Sequence, residues 1–366
     1  GEHWEPAGAQ IQISATPSTG YEFEEWVGSG SGSYSGVDNP ATITMNGPIN
    51  ETAVFSLEHF LIVFNATGLN SNAQGTVLTV NGVSYSYSQL PVTLNVTYGT
   101  TISYSWSSPI SGGSGARFVW LYSTGLDTAQ SGSFTVTQSG YITAHYQLQY
   151  YLNETASPSG GGSVSPGSGW YNASSTVTIS ETPNSGYEFV EWIGSGSGSY
   201  SGTSQSASIT MNGPINETAL YYVGMTFSVS GMNSSAVGAV LKLSYGGSTY
   251  NYTYSQLPAT VFLPAGSSIS FSYYSPVSST GSYEFIWVST SGYSTAQSAT
   301  ITVPSTPESI TGNYEIGYVY TFKENGLPSG ATWNITANGQ TSSASAGNEI
   351  TFIFTKSSIS FEAYNI

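Results

Sequence analysis

Apolar and polar residues alternate at period two through most of the chain. SSTVTISET (174–182), ASITMNG (207–213), TLNVTYG (93–99), TISYSW (101–106), SGSFTVT (131–137), SATITV (298–303) and EITFIF (349–354) all follow the pattern. Period two sends successive side chains to opposite faces of a strand, so each run predicts a half-buried β-strand. Gly, Pro, Asn and Ser punctuate the runs about every 8–12 residues, a spacing typical of β-sandwiches. No stretch has helical periodicity, and the helix formers Lys, Glu and Leu are sparse. The expected fold is all-β: tandem Ig-like β-sandwich modules and small β-repeat modules in an elongated array.

Internal repetition sets the organisation. A constant shift of 166 aligns Trp4–Phe55 with Trp170–Tyr221, and ITMNGPINETA recurs unchanged at Ile43 and Ile209. FNATGLNSNAQGTVL (64–78) answers FSVSGMNSSAVGAVL (227–241) at a shift of 163. YSQLP and RFVWLYSTGLDTAQ, at 87 and 117, answer YSQLP and EFIWVSTSGYSTAQ at a shift of 167. The repeating unit therefore joins a short Trp-containing module to a longer β-sandwich module. The expected divisions are a truncated Trp module at 1–57, a β-sandwich at 58–147, a complete Trp module at 148–222, a second β-sandwich at 223–316 and a partial third at 317–366. Truncation at both ends implies a window on a longer chain, and the edge strands of 317–366 are expected to pair with its continuation or with another chain.

Each Trp module carries the same unusual stretch. GYEFEEWVGSGSGSYSG (20–36) and GYEFVEWIGSGSGSYSG (186–202) agree at 15 of 17 positions. Tyr187 and Phe189 share a strand face, whereas Trp192 lies three residues on, so a bulge or turn must intervene. Phe23, Trp26, Phe189 and Trp192 are expected in module cores, as are Trp120 and Trp287 within their apolar FVW and FIW runs. Repetition of the glycine-serine arm at fixed length predicts an ordered loop, with Tyr200 pinning it to the module.

The pattern SPSGGGSVSPGSGWYNASSTVTISETPNSGYEFVEWIGSGSGSYSG…ITMNGPINETA resembles the divergent internalin-type B repeats of bacterial and archaeal surface proteins. TFKENGLPSGATWNITANG (321–339) is similar to a module repeated in secreted proteins of thermoacidophilic archaea, including regions appended to thermopsin-type acid proteases. The resemblance implies an extracellular archaeal surface protein. The thermopsin catalytic region has no counterpart in the sequence.

Charge narrows the partners. Asp, Glu, Lys and Arg make up 7% of the chain and the net charge is −16, against roughly a quarter charged residues in ordinary domains. The four cations, Arg117, Lys242, Lys323 and Lys356, are scattered, which excludes nucleic acid and anionic membranes as partners. No apolar run approaches the ~20 residues of a membrane-spanning helix. Cysteine is absent, removing disulfides and thiolate metal sites. A neutral hydroxyl-rich surface suits an acidic exterior, because little of it titrates, and suits a secreted protein at ordinary pH equally well.

Motifs for chemistry are few. Asp127 in LDTAQ faintly resembles an aspartic protease motif, but Ser294 replaces it in the second copy, so a turn role is expected. His3, His59 and His145 are isolated; His59 and His145 fall near module junctions. Glu22, Glu24 and Glu25 form the one tight acidic cluster, read as a solvated strand face rather than a calcium site. No catalytic, cofactor or metal residues are assigned. Sequons stand at Asn50, Asn65, Asn95, Asn153, Asn172, Asn216, Asn233, Asn251 and Asn334. Asn50 and Asn216 occupy one repeat position, where NGPINETA is read as a polar turn entering a strand.

These features predict a non-enzymatic, N-glycosylated structural component of an archaeal surface layer, filament or appendage that self-assembles outside the cell. The residues leave open an adhesive or glycan-binding region of a larger secreted hydrolase, and a surface protein of an archaeal virus.

Overall fold

The computed structural model describes residues 3–355 and 358–363. Every period-two run above contains a strand, and the helical turns among the described residues are two short 3₁₀ segments, Tyr87–Gln89 and Tyr254–Gln256. The fold is all-β, with sandwich and smaller β modules in tandem.

Between residues 58 and 147 two sheets face each other. Ile62, Phe64, Phe118, Ile142 and Tyr146 of one sheet meet Leu78, Val80, Ile102, Tyr104 and Trp106 of the other in a single buried cluster. The segment 223–316 repeats the arrangement, with Met225, Phe227, Phe285 and Ile310 against Leu241, Leu243, Ile269 and Phe271. Between them, Trp192, Ile215, Ala219 and Tyr221 pack under a three-stranded sheet carrying Val177, Ile179 and Ile209. A fourth cluster joins Trp333, Ile335 and Ala337 to Ile350, Phe352 and Phe354.

Four strands form a spine through these cores, β2 (His59–Thr67), β3 (Gly140–Ser157), β4 (Ile215–Ser230) and β5 (Glu308–Phe322), and β1 (Asn50–Leu57), in a separate two-stranded sheet, leads into it. The first half of β3 runs parallel to β2, with Gly140–His145 beside Ile62–Thr67. Its second half runs parallel to β4, Leu152–Ser157 beside Ile215–Leu220. The far half of β4 then runs parallel to β5, Met225–Ser230 beside Glu308–Asn313. Thus β3, β4 and β5 each leave one core and enter the next without a loop.

The side-chain pattern explains the continuity. Ile142, Ala144 and Tyr146 of β3 are buried in one core, Leu152 and Glu154 in the next, and the half-buried Leu148 and Tyr150 keep the same phase between them. With the alternation unbroken, the strand has no reason to turn. Between β1 and β2, by contrast, Glu58 interrupts the strand; its amide donates to the Gly20 carbonyl and its carbonyl accepts from Tyr98.

Parallel neighbours start at the same end, so a module whose first and last strands pair in parallel admits the chain at one pole and releases it at the other. Successive modules are therefore strung end to end. The accessible surface, 19031 Å², exceeds the roughly 14,000 Å² of a compact monomer of this mass.

Candidate functional site

The strand before each glycine-serine arm contains the bulge that its aromatic spacing requires. Register slips between Phe23 and Glu25 against β1, and between Phe189 and Glu191 against β4. The slip turns Trp26 and Trp192 inward, and both are buried. Phe23 and Phe189 are half-buried, with ring centroids 5.8 and 6.2 Å from those tryptophans.

Both arms are ordered and alike. Trp192 and Gly202 exchange backbone hydrogen bonds, as do Trp26 and Gly36. Gly194 N–H donates to Ser201 Oγ and Gly28 N–H to Ser35 Oγ, each at 3.0 Å. The arm crosses so close to the strand bearing Thr210 that a Cβ on Gly198, at φ +93°, would collide with the Thr210 carbonyl; Gly32 stands the same way to Thr44. The Tyr200 hydroxyl accepts from the Ser204 amide, closing the tip of the arm.

At the root of each arm is an inward carboxylate that the sequon reading passed over, buried at Glu217 and half-buried at Glu51. Glu217 Oε1 accepts the Tyr200 amide at 2.7 Å, and Glu51 Oε1 accepts the Tyr34 amide at 2.8 Å. NGPINETA is a polar bend entering a strand: the chain bends at Asn46–Gly47 and Asn212–Gly213, Asn50 and Asn216 lie within β1 and β4, and the glutamate of each motif points inward. A third NETA, at 153–156, places Glu154 directly beside Glu217 in the parallel pair. Glu217 is 0% exposed and Glu154 6%. Gly167 N–H donates to Glu154 Oε2 at 2.6 Å, while Glu154 Oε1 and Glu217 Oε2 find no partner within the protein. Burial raises the pKa of both carboxyls, against the lowering effect of the amides they accept, and the charge of Glu154 raises that of Glu217 further. The threefold recurrence of Glu between two outward polar residues was the available signal for this site.

The sequons lie outward. Asn50, Asn65, Asn95, Asn172, Asn216, Asn233, Asn251 and Asn334 are exposed and Asn153 is half-buried. Asn153 and Asn216 are not independent: Asn153 Nδ2 donates to Asn216 Oδ1 at 3.1 Å across the ladder.

Trp120 and Trp287 are half-buried against their cores, and their indole N–H groups donate to Ser123 and Thr290. Trp170 lies 4.5 Å beneath the Arg117 guanidinium and 5.2 Å from Tyr151. Trp4, its repeat counterpart, is 89% exposed, since the first copy has no such neighbours among the described residues.

Asp127 Oδ1 accepts the Ala129 amide, and Ser294 Oγ accepts that of Ala296, so both copies make the same small turn. Glu22, Glu24 and Glu25 are exposed. His3 contacts Glu5 at the surface, His59 pairs with Thr97 at the start of β2, and His145 bridges Thr67 and Thr124 while stacking on Tyr122. Among the described residues no group of three or more His, Cys, Asp or Glu could hold a metal ion. Among the described residues no helix is long and apolar enough to cross a membrane. Within 317–363, Ile350–Phe354 pairs with β5 and Phe361–Ala363 with Thr332–Ala337.

The class defined so far is a tandem β-module protein whose modules share spine strands. Two of its segments, residues 2–59 and 152–223, match the model of the divergent InlB B-repeat domain. No curated protein matches the chain. Among solved structures, the Bacillus anthracis TIE protein aligns at 7% identity over 96% of this chain and 71% of its own, with a TM-score of 0.22. The pilus adhesin SpaC from Lactobacillus rhamnosus GG, in its open conformation, aligns at 8% identity over 75% of this chain and 45% of its own, TM-score 0.18. The major pilin protein T-13 of Streptococcus pyogenes aligns at 10% identity over 70% and 96%, TM-score 0.15. Scores this low carry no functional weight.

Proposed function

We propose that the protein is a non-enzymatic structural element of an extracellular archaeal assembly, a surface layer, filament or appendage, in which tandem modules divided near residues 57, 147, 222 and 316 provide reach and stiffness. The observation that carries this reading is the spine: β3, β4 and β5 pass between cores with no linker to act as a hinge. A protein needing only to display separate binding units has no use for such welds. The match of two segments to divergent InlB B-repeats supports a surface setting. Exposed sequons supply sites for covalent N-glycans, and a surface poor in ionisable groups tolerates acid.

Immunogold labelling of native cells, followed by electron microscopy of the detached material, tests the reading. Label on the cell periphery and extended assemblies with a module repeat are expected. Dispersed monomers in the medium that bind a soluble glycan through surface tryptophan would overturn it in favour of an accessory binding region.

A further inference from the structure

The geometry points to a mechanical role: we infer that the three parallel spine pairings act as shear clamps, so that the chain bears tension along its length. The inference rests on strand topology and register, and a purified chain tests it wherever the protein resides.

The path of force follows from the register. Tension along the chain pulls β2 backward from its start and β3 forward beyond His145. Because the two strands are parallel neighbours, the load slides one along the other. All six residue pairs, Ile62–Gly140 to Thr67–His145, then resist together. Had the last strand been antiparallel to the first, both points of load would lie at one end and the hydrogen bonds would break in turn. The pairing of Leu152–Ser157 with Ile215–Leu220 has the same polarity, as does that of Met225–Ser230 with Glu308–Asn313. Since β3 and β4 each belong to two clamps, load leaving one enters the next along the same strand.

Each clamp is closed on both faces. Inward, Phe64, Ile142, Leu152, Ile215, Phe227 and Ile310 are all almost fully buried, keeping water from competing for the ladder. Outward, side chains lace the strands together. His145 meets Thr67 at 2.8 Å, and Thr155 meets Thr218 at 3.0 Å beside the Asn153–Asn216 bond. Ser228 meets Thr311 at 2.7 Å and Ser230 meets Asn313 at 2.8 Å. Polar lacing thus recurs on all three clamps.

The absence of cysteine allows pulling handles to be placed at will. In single-molecule force spectroscopy of the full chain, handles at Glu5→Cys and Glu362→Cys load all three clamps in shear. Handles at Asn233→Cys and Glu315→Cys instead open the β4–β5 pair from one end. Forced unfolding reads the unfolding barrier directly. The end-pulled chain is expected to give three events, each lengthening it by roughly 20–30 nm at 3.3–3.6 Å per residue. Their forces should be several-fold above the force that parts the second pair of handles. Equal forces in the two geometries, or smooth extension of the end-pulled chain without discrete events, would overturn the inference. Circular dichroism of each handle variant separates mechanical weakness from misfolding, and a misfolded pair is replaced by handles at Ser235 and Glu315.

Discussion

Glu154 and Glu217 stand opposite one another in the parallel pair of β3 and β4, both buried. Folding raises both pKa values, so the folded chain holds protons that the unfolded chain has released. Their effect on stability is therefore least unfavourable below the ordinary glutamate value and worsens as pH climbs through the raised values. The melting temperature is expected to fall with rising pH across that window, and to fall less in a Glu154→Gln/Glu217→Gln variant. Thermal melts of both proteins from pH 3 to pH 8 check this; parallel curves would refute it.

Removing the acceptor at the root of an arm should free that arm. Glu217→Ala leaves the Tyr200 amide without its partner, at a cost of about 1–3 kcal/mol. Glu217→Gln retains a carbonyl acceptor and should cost less. Hydrogen exchange at Tyr200 is the local readout, with faster exchange expected in the alanine variant and little change at the equivalent Tyr34.

Gly198 and Gly32 predict a larger loss. Each has positive φ and lies against a carbonyl of the neighbouring strand, so alanine adds a backbone penalty of roughly 1 kcal/mol to a steric collision. Urea denaturation of Gly198→Ala should show destabilisation of at least 2 kcal/mol, within the range of single-site strain effects. Gly167, with no atom near its missing Cβ, is the control and should lose less.

Where N-glycans are attached, Asn153 and Asn216 should compete. Their amides are in contact, which leaves room for one glycan on the pair, whereas the site at Asn50 has no such rival among the described residues. Glycopeptide mass spectrometry of native material should find Asn50 occupied, and Asn153 and Asn216 never both occupied on one molecule.

The strands were legible because one face of each is buried and the other wet, which writes period two into the sequence. The bulge was legible too, since Phe189 and Trp192 cannot share a face at a spacing of three without one. The parallel pairings were not: Ile62 and Gly140 are neighbours only after the sandwich between them has closed, and no local pattern records that. Glu51, Glu154 and Glu217 were missed for a different reason. Asn-Glu-Thr satisfies the sequon rule, which is set by the outward asparagine and threonine and carries no information about the inward glutamate between them. The continuity of β3 was hidden because the change of repeat type at 147–148 looks like a boundary, although the alternation through Tyr146, Leu148 and Tyr150 never breaks.

Glu58 gives that alternation an arithmetic. The repeat shift falls from 166 before the first junction to 163 after it, so this junction is three residues longer than its counterpart within β4. In β4 the inward positions Ala219, Tyr221, Val223, Met225 and Phe227 are all odd-numbered. Across the first junction they pass from Glu51 and Ala53 to Ile62 and Phe64, from odd to even. An odd change in length inverts every side chain downstream, and the strand breaks at Glu58 where the phase must reset. Parity thus governs how such a gene can grow: duplication or slippage that adds an even number of residues preserves a weld, and an odd number forces a joint.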